Sequence, residues 1–93
     1  GVGVLAIANG TAPSSSPADE FQLYSADWNG AGTAAAHFRN EEGHTIKLAR
    51  AATYTPTNVT TDRSYDANAT TLDEVADVLG TLIADLQTLG FLG

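Results

Sequence analysis

The chain of 93 residues has no cysteine and no methionine, only four Lys and Arg, and one Trp beside three Tyr and three Phe. Without cysteine, neither a disulfide framework nor a thiolate metal site can staple so short a chain. Four basic against eleven acidic residues give a formal net charge of −7, which argues against duplex binding through phosphate neutralisation, so no nucleic-acid partner is expected. The lack of methionine points to a processed product or, the preferred expectation, a piece of something longer. Long hydrophobic runs are missing as well. Gly1-Val2-Gly3-Val4-Leu5-Ala6-Ile7-Ala8 is apolar, but it has no basic flank and is far shorter than a membrane span, so no membrane insertion is expected.

What is present is organised around the last quarter. Leu72, Val75, Leu79, Leu82, Leu86 and Leu89 are spaced three, four, three, four, three, the a/d rhythm of a helix that lays a narrow stripe along a partner. Val78 at g and Ile83 at e widen the stripe, which suits a bundle of more than two helices. Thr71 stands at the N-cap with Glu74 three residues on, the capping-box spacing, and Gly90 supplies the left-handed stop. A helix of this length is marginal alone in water, so it must lie either on its own domain or on other copies. All four basic residues, Arg39, Lys47, Arg50 and Arg63, precede it. No Glu–Lys pairs are available at e and g, so apolar packing must hold any bundle.

Upstream, residues 1–50 are expected to form a β-rich module with strands near 2–8, 21–28, 35–39 and 44–49. The opening segment is apolar on both alternations, as in a strand buried on two faces or between chains. Thr11-Ala12-Pro13-Ser14-Ser15-Ser16-Pro17 should run as an exposed extended connector. The alternation places Phe21, Leu23 and Ser25 on one face and Gln22, Tyr24 and Ala26 on the other. Asn29-Gly30-Ala31-Gly32-Thr33 is a glycine-rich turn, and Asn40-Glu41-Glu42-Gly43 predicts a hairpin. Residues 51–70 are polar, with Tyr54, Val59 and Tyr65 as sizeable apolar anchors, and are expected to form an extended lead to the helix at 71–90. A single copy of this β part makes a poorly covered sheet with exposed edges, which several copies wrapped about one axis would remove.

Together these residues resemble a family. The stretch from Tyr54-Thr55-Pro56-Thr57 through Leu82-Ile83-Ala84-Asp85-Leu86 resembles the closing segment of bacteriophage tail-fibre and related virion structural proteins. Phe21-Gln22-Leu23-Tyr24-Ser25-Ala26-Asp27, followed by Ala36-His37-Phe38-Arg39-Asn40-Glu41 and Thr45-Ile46-Lys47-Leu48, is similar to a β module of the same proteins, and Gly1 to Asn9 is similar to the strand before their Pro/Ser connector. The resemblance implies a mixed β and α fold, an intertwined homotrimeric β-rich fibre segment followed by a parallel three-helix coiled coil. Leu72, Val75, Val78, Leu79, Leu82, Ile83, Leu86 and Leu89 would then be the trimerisation residues. It also implies a virion location after synthesis in the bacterial host cytoplasm, and further virion proteins upstream.

No nucleophile elbow, Walker loop or zinc-protease motif occurs, so no enzyme, catalytic residue or cofactor is expected. His37 and His44 could in principle meet around a metal on a three-fold axis, but there is no His-x-His pair, and ordinary strand histidines are the simpler reading. Asp62, Asp66, Asn68 and Asp73 resemble a loose calcium loop without its glycine, so turn and capping roles suffice and no metal is expected. Tyr24, Trp28 and Asn29 are the candidates for a contact with a host surface receptor, since aromatics beside a flexible loop can stack on sugars or anchor a protein. The alternative is that they fill the side of a narrow prism. Three function classes follow: a trimeric structural fibre segment, a receptor-binding fibre tip, and a bacterial surface adhesin fragment.

Overall fold

The computed structural model describes residues 2–93. It has a three-stranded antiparallel sheet and one C-terminal helix, a mixed α and β fold, divided into two compact units, Gly1–Ala49 and Arg50–Gly93.

In the first unit β1 (Gln22–Asp27), β2 (Ala34–Arg39) and β3 (Thr45–Leu48) form a meander in that order. The β2–β3 turn is the expected hairpin. The Asn40 N–H donates to His44 O at 3.0 Å, and Asn40 Oδ1 accepts from the Glu42 and His44 N–H groups at 3.1 and 2.8 Å. Gly43 takes φ +85°, a left-handed conformation that favours glycine. The register builds cross-strand rows. Leu23, Phe38 and Ile46 form one row and Ser25, Ala36 and Leu48 the next on the same face, while Gln22, Arg39, Thr45 and then Tyr24, His37, Lys47 line the other. One face is therefore apolar and the other polar, as the alternation predicts.

The polar face is the better covered one. His37, only 3% exposed, stacks on Tyr24 with ring centroids 5.1 Å apart, and its Nδ1 lies 2.9 Å from Ala35 O, so this nitrogen carries the proton. Arg39 reaches the Pro/Ser segment through Nε to Ser16 Oγ at 2.9 Å and Nη1 to Pro13 O at 3.1 Å. That segment is thus extended and mostly exposed, as expected, but pinned at two points. On the apolar face Phe21, Leu23, Ile46 and Leu48 are all exposed. Leu5 and Ile7 border a shallow cavity beside Leu23, Ala34 and Ala36 without closing that face.

The strand expected over residues 2–8 is not in the sheet. Val2 and Gly3 lie in a turn and residues 4–10 have no regular structure, with Val2, Val4 and Leu5 well exposed. Among the described residues its hydrogen bonds to the sheet come at its end, where the Gly10 N–H donates to Ser25 O at 3.1 Å and Ser25 Oγ donates to Asn9 Oδ1 at 2.8 Å. A strand apolar on both alternations needs a ladder and a layer on each face, and one copy of this chain supplies neither.

In the second unit α1 (Leu72–Leu89) starts and stops where the sequence predicts. Thr71 Oγ1 accepts from the Glu74 N–H at 3.1 Å. The reciprocal bond from the Glu74 carboxylate is not among the hydrogen bonds of the described residues, so half of the expected capping box forms. At the other end Gly90 is left-handed, with its N–H donating to Gln87 O at 3.1 Å and the Phe91 N–H donating to Leu86 O at 3.0 Å, a Schellman closure.

The loop between β1 and β2 generates a prediction on acidity. Desolvation pushes the Asp27 carboxyl up, but the backbone N–H groups of Asn29, Gly32, Thr33 and Gly30 together outweigh it and hold the group below the ordinary carboxylate range. A carboxyl depressed in the folded state contributes stability above its unfolded value of about 3.9 and loses that contribution as pH falls through the folded value. An NMR titration should place the Asp27 midpoint below that of a peptide spanning residues 24–33. Equal midpoints would show that the loop does not hold the carboxylate.

Candidate assembly surface

The helix divides into two sides by what its own chain covers. At ~100° per residue, Asp77, Gly80, Thr81, Asp85 and Gln87 fall on one half of the circumference and the leucine stripe on the other. The preceding segment, residues 54–63, lies along the first half, running from near Gln87 up to Asp77 and then turning back toward Asp85.

Each contact has a local cause. Gly80 has no side chain, so Val59 sits against the helix at that point, where a Cβ would come within 2.5 Å of Val59 Cγ2. Thr81, 4% exposed, donates from Oγ1 to Asp77 O at 2.8 Å within the helix and accepts from the Asp62 N–H at 2.9 Å. Asp77 Oδ1 accepts from the Thr60 N–H at 3.1 Å. Gln87 Nε2 donates to Tyr54 O and Gly93 O at 2.7 and 2.8 Å. The chain end is drawn back to the same place, since the Ala51 N–H donates to Phe91 O at 2.7 Å and the Gly93 N–H to Ala51 O at 2.9 Å.

Charge follows the same division. The last turn of α1 carries no basic residue, and Arg63 supplies a cation from outside the helix. Its Nε and Nη2 donate to Asp85 Oδ2 and Oδ1 at 3.0 and 2.9 Å, a bidentate pair on the surface. These hydrogen bonds, opposed in part by desolvation and aided by the neighbouring positive charge, hold the Asp85 carboxyl below the ordinary range; the same bonds hold the Arg63 guanidinium above its own. Asp85, next to the leucine stripe, therefore carries its counter-charge from its own chain.

The edges of the stripe border the same segment, Val78 and Leu82 beside Asp62 and Arg63, and Leu79 and Ile83 beside Pro56 to Val59, yet most of its large side chains stay exposed. Leu72 is 87% exposed, Leu79 56%, Leu82 52% and Leu89 71%, with Val75 also exposed and Val78, Ile83 and Leu86 half-exposed. Among the described residues no apolar side chain is buried, and the buried polar side chains are Ser25, His37 and Thr81. The eight residues expected to mediate association therefore lie on one continuous side of α1.

The other sequence candidates are dispersed. Tyr24 stacks on His37 in the sheet, Trp28 is half-exposed where its N–H closes the loop onto Thr33 O at 3.2 Å, and Asn29 is exposed with its amide engaged by the Ala31 N–H and Thr33 Oγ1. His44 is exposed beside Glu42, whereas His37 is enclosed. Asp62 and Asp66 accept from the N–H groups of Ser64 and Asn68, the turn roles expected of them. Among the described residues no three His, Asp or Glu side chains converge as metal ligands, and no helix is long and apolar enough to cross a membrane. The sequence reading missed Val59, Gly80, Thr81 and Arg63. A Gly-Thr pair at mid-helix, on the side away from the stripe, was the available signal, because both residues are poor helix formers without a packing reason to be there.

Ala in place of a mid-helix Gly ordinarily favours the helix by about 0.8–1 kcal/mol. In this chain Gly80→Ala should raise the helicity of an isolated 70–91 peptide by circular dichroism, yet speed tryptic cleavage after Arg63 in the full chain by displacing Val59. Adding Val59→Ala should restore protection, and unchanged cleavage in the single variant would refute the close fit. In comparisons with protein-family models, curated proteins and solved structures, nothing matches the chain.

Proposed function

We propose that the chain is a structural module of a phage virion, a tail-fibre segment that assembles as a homotrimer through a parallel bundle of its C-terminal helices. The observation that carries this reading is the sidedness of α1: its own chain is hydrogen-bonded along the polar side, and Leu72, Val75, Leu79, Leu82 and Leu89 of the stripe are exposed, with Leu86 half-exposed. Widening of the stripe by Val78 and Ile83 favours three helices over two. The bare apolar face of the sheet and the unpaired opening segment are a second surface that neighbouring copies would cover. The tail-fibre assignment itself rests on the sequence resemblance. The work of such a module is mechanical: it holds three chains in register and involves no catalysis or cofactor.

A receptor-binding tip built on the same scaffold would place its contact at Tyr24, Trp28 and Asn29. The side-chain amide of Asn29 is already committed to its own loop, which favours the structural role.

Light scattering should give a mass about three times that of the 9.6 kDa chain. Leu79→Asp with Leu82→Asp should reduce it to a single chain, because each layer would otherwise bury several uncompensated carboxylates. Intact trimers in that variant would overturn the bundle. Orientation has its own test, and the cysteine-free background makes it clean. In a parallel, in-register bundle Val78 of one helix faces Ile83 of the next, while within one helix the two lie ~7.5 Å apart along the axis, too far for a disulfide. Val78→Cys with Ile83→Cys should therefore give a covalent three-chain band on a non-reducing gel.

A further inference from the structure

We propose that Asn29 is a site of self-modification, in which the Gly30 backbone nitrogen displaces ammonia from the Asn29 side chain. This chemistry is independent of whether copies of the chain associate.

Asparagine followed by glycine is the pair that hinders the reaction least, because glycine places no Cβ beside the attacking nitrogen. The chain has two such pairs, Asn9-Gly10 and Asn29-Gly30. Their surroundings differ. At the first, the Gly10 N–H donates to Ser25 O at 3.1 Å, and a backbone carbonyl is too weak a base to take the proton. The Asn9 amide is drawn to the same unit, with Oδ1 accepting from Ser25 Oγ at 2.8 Å and Nδ2 donating to Gly32 O at 3.4 Å.

At the second pair the Gly30 N–H faces the Asp27 carboxylate, whose Oδ1 also accepts from the Asn29 N–H at 3.2 Å. Asn29 Oδ1 accepts from the Ala31 N–H at 2.9 Å, and Nδ2 donates to Thr33 Oγ1 at 3.3 Å. The parts of an acyl transfer therefore meet in one exposed loop: a proton acceptor at the nucleophile, a donor on the oxygen that gains charge, and an oxygen that holds the leaving nitrogen. Gly30 and Gly32, both at φ +79°, fix the turn that brings them together.

The step needs no reagent but water. As the bond from Gly30 N to Asn29 Cγ forms, the proton passes to Asp27 and Oδ1 carries the charge of the tetrahedral intermediate. The Cγ–Nδ2 bond then breaks, Asp27 returns the proton to the leaving nitrogen, and ammonia departs. Water adds to either carbonyl of the five-membered imide, leaving an aspartyl or an isoaspartyl residue. Either product adds a carboxylate beside Trp28, and the second lengthens the backbone by one methylene.

Asp27 is the group on which pH acts. The backbone N–H groups of Asn29, Gly30, Gly32 and Thr33 face it, with no charged side chain among them in the described residues, and they keep it ionised into mild acid. In a free peptide the proton goes instead to hydroxide or buffer, so the peptide reaction slows as pH falls.

Residue-by-residue mass spectrometry of the intact chain, beside peptides spanning residues 4–14 and 24–33, tests this at about pH 5 and about pH 8, where an ordinary aspartate is ionised. At the lower pH Asn29 in the chain should convert about tenfold or more faster than in its peptide, a modest part of what a positioned proton acceptor supplies. Asn9 should lag behind its own peptide. Asp27→Asn should remove the excess at Asn29, and Asp27→Glu, which keeps a carboxylate, should retain part of it. Because Asp27→Asn also loosens the turn, the parent chain against its peptide is decisive by itself: an Asn29 rate no higher than the peptide's at the lower pH overturns the proposal. So does an excess that survives Asp27→Asn, or an Asn9 that converts as fast as Asn29.

Discussion

Ordering a residue's backbone costs about 1–2 kcal/mol, and the main term that offsets it is removal of apolar surface from water, about 1.5–3 kcal/mol for a fully buried Leu, Val, Ile or Phe. In this chain no apolar side chain is buried among the described residues. Within one copy that offset comes only from partly covered side chains such as Phe38, Val78, Ile83 and Leu86, and much apolar surface is left open. Hydrogen bonds do not replace it, because each net contribution is only about 0.5–1.5 kcal/mol, and the ion pair of Arg63 with Asp85 is exposed. This shortage shapes every other feature of the molecule, and the proposed assembly is its physical remedy.

Two devices recur in both units. In the sheet, Pro13 and Ser16 are fastened to Arg39 on the polar face; on the helix, Thr60, Asp62 and Arg63 are fastened to Asp77, Thr81 and Asp85 on the polar side. Each irregular segment thus lies on the polar surface of its own regular element. A monomeric domain normally does the reverse, burying the apolar face first and leaving the polar face to water. Hydrogen-bonded anchoring on the polar side needs no apolar material, so the segments can be rich in Thr, Asn, Asp, Ser and Pro and still be placed. What they accomplish is to determine which side of each element stays open.

Much of this was legible in the sequence where the signal is local. Thr71 and Gly90 bound the helix because a hydroxyl acceptor and a left-handed glycine act within a few residues of themselves, and Asn40 to Gly43 announces its hairpin for the same reason. Alternation also assigned Leu23 and Ser25 to one face and Gln22 and Tyr24 to the other. The strand expected over 2–8 failed because hydrophobicity on both alternations says that partners are needed without saying that the same copy supplies them. The covering of α1 was invisible for a related reason. A polar segment with Val59 as its one large aliphatic residue carries no periodicity, and its place is set by complementarity between that valine and the gap at Gly80. Thr81 could be read only as a weak helix former until its hydroxyl was seen bridging Asp77 O and the Asp62 N–H.

The placement of Gly80 bears on why such a helix is tolerable at all. Glycine at mid-helix destabilises it by about 0.5–1 kcal/mol relative to alanine, and no basic residue in the last turn answers the dipole. Optimised for itself, the helix would carry Ala at 80 and Lys near 85. Instead its back is cut to receive an irregular segment of its own chain, and its missing positive charge arrives on that segment as Arg63. Helix and back segment therefore depend on one another: without Arg63 and Val59 the helix keeps an unanswered carboxylate and a bare backbone, and without Gly80 the segment has no seat. Such coupling holds the helix and its back segment together within a single copy and fixes which side of α1 carries the exposed leucines.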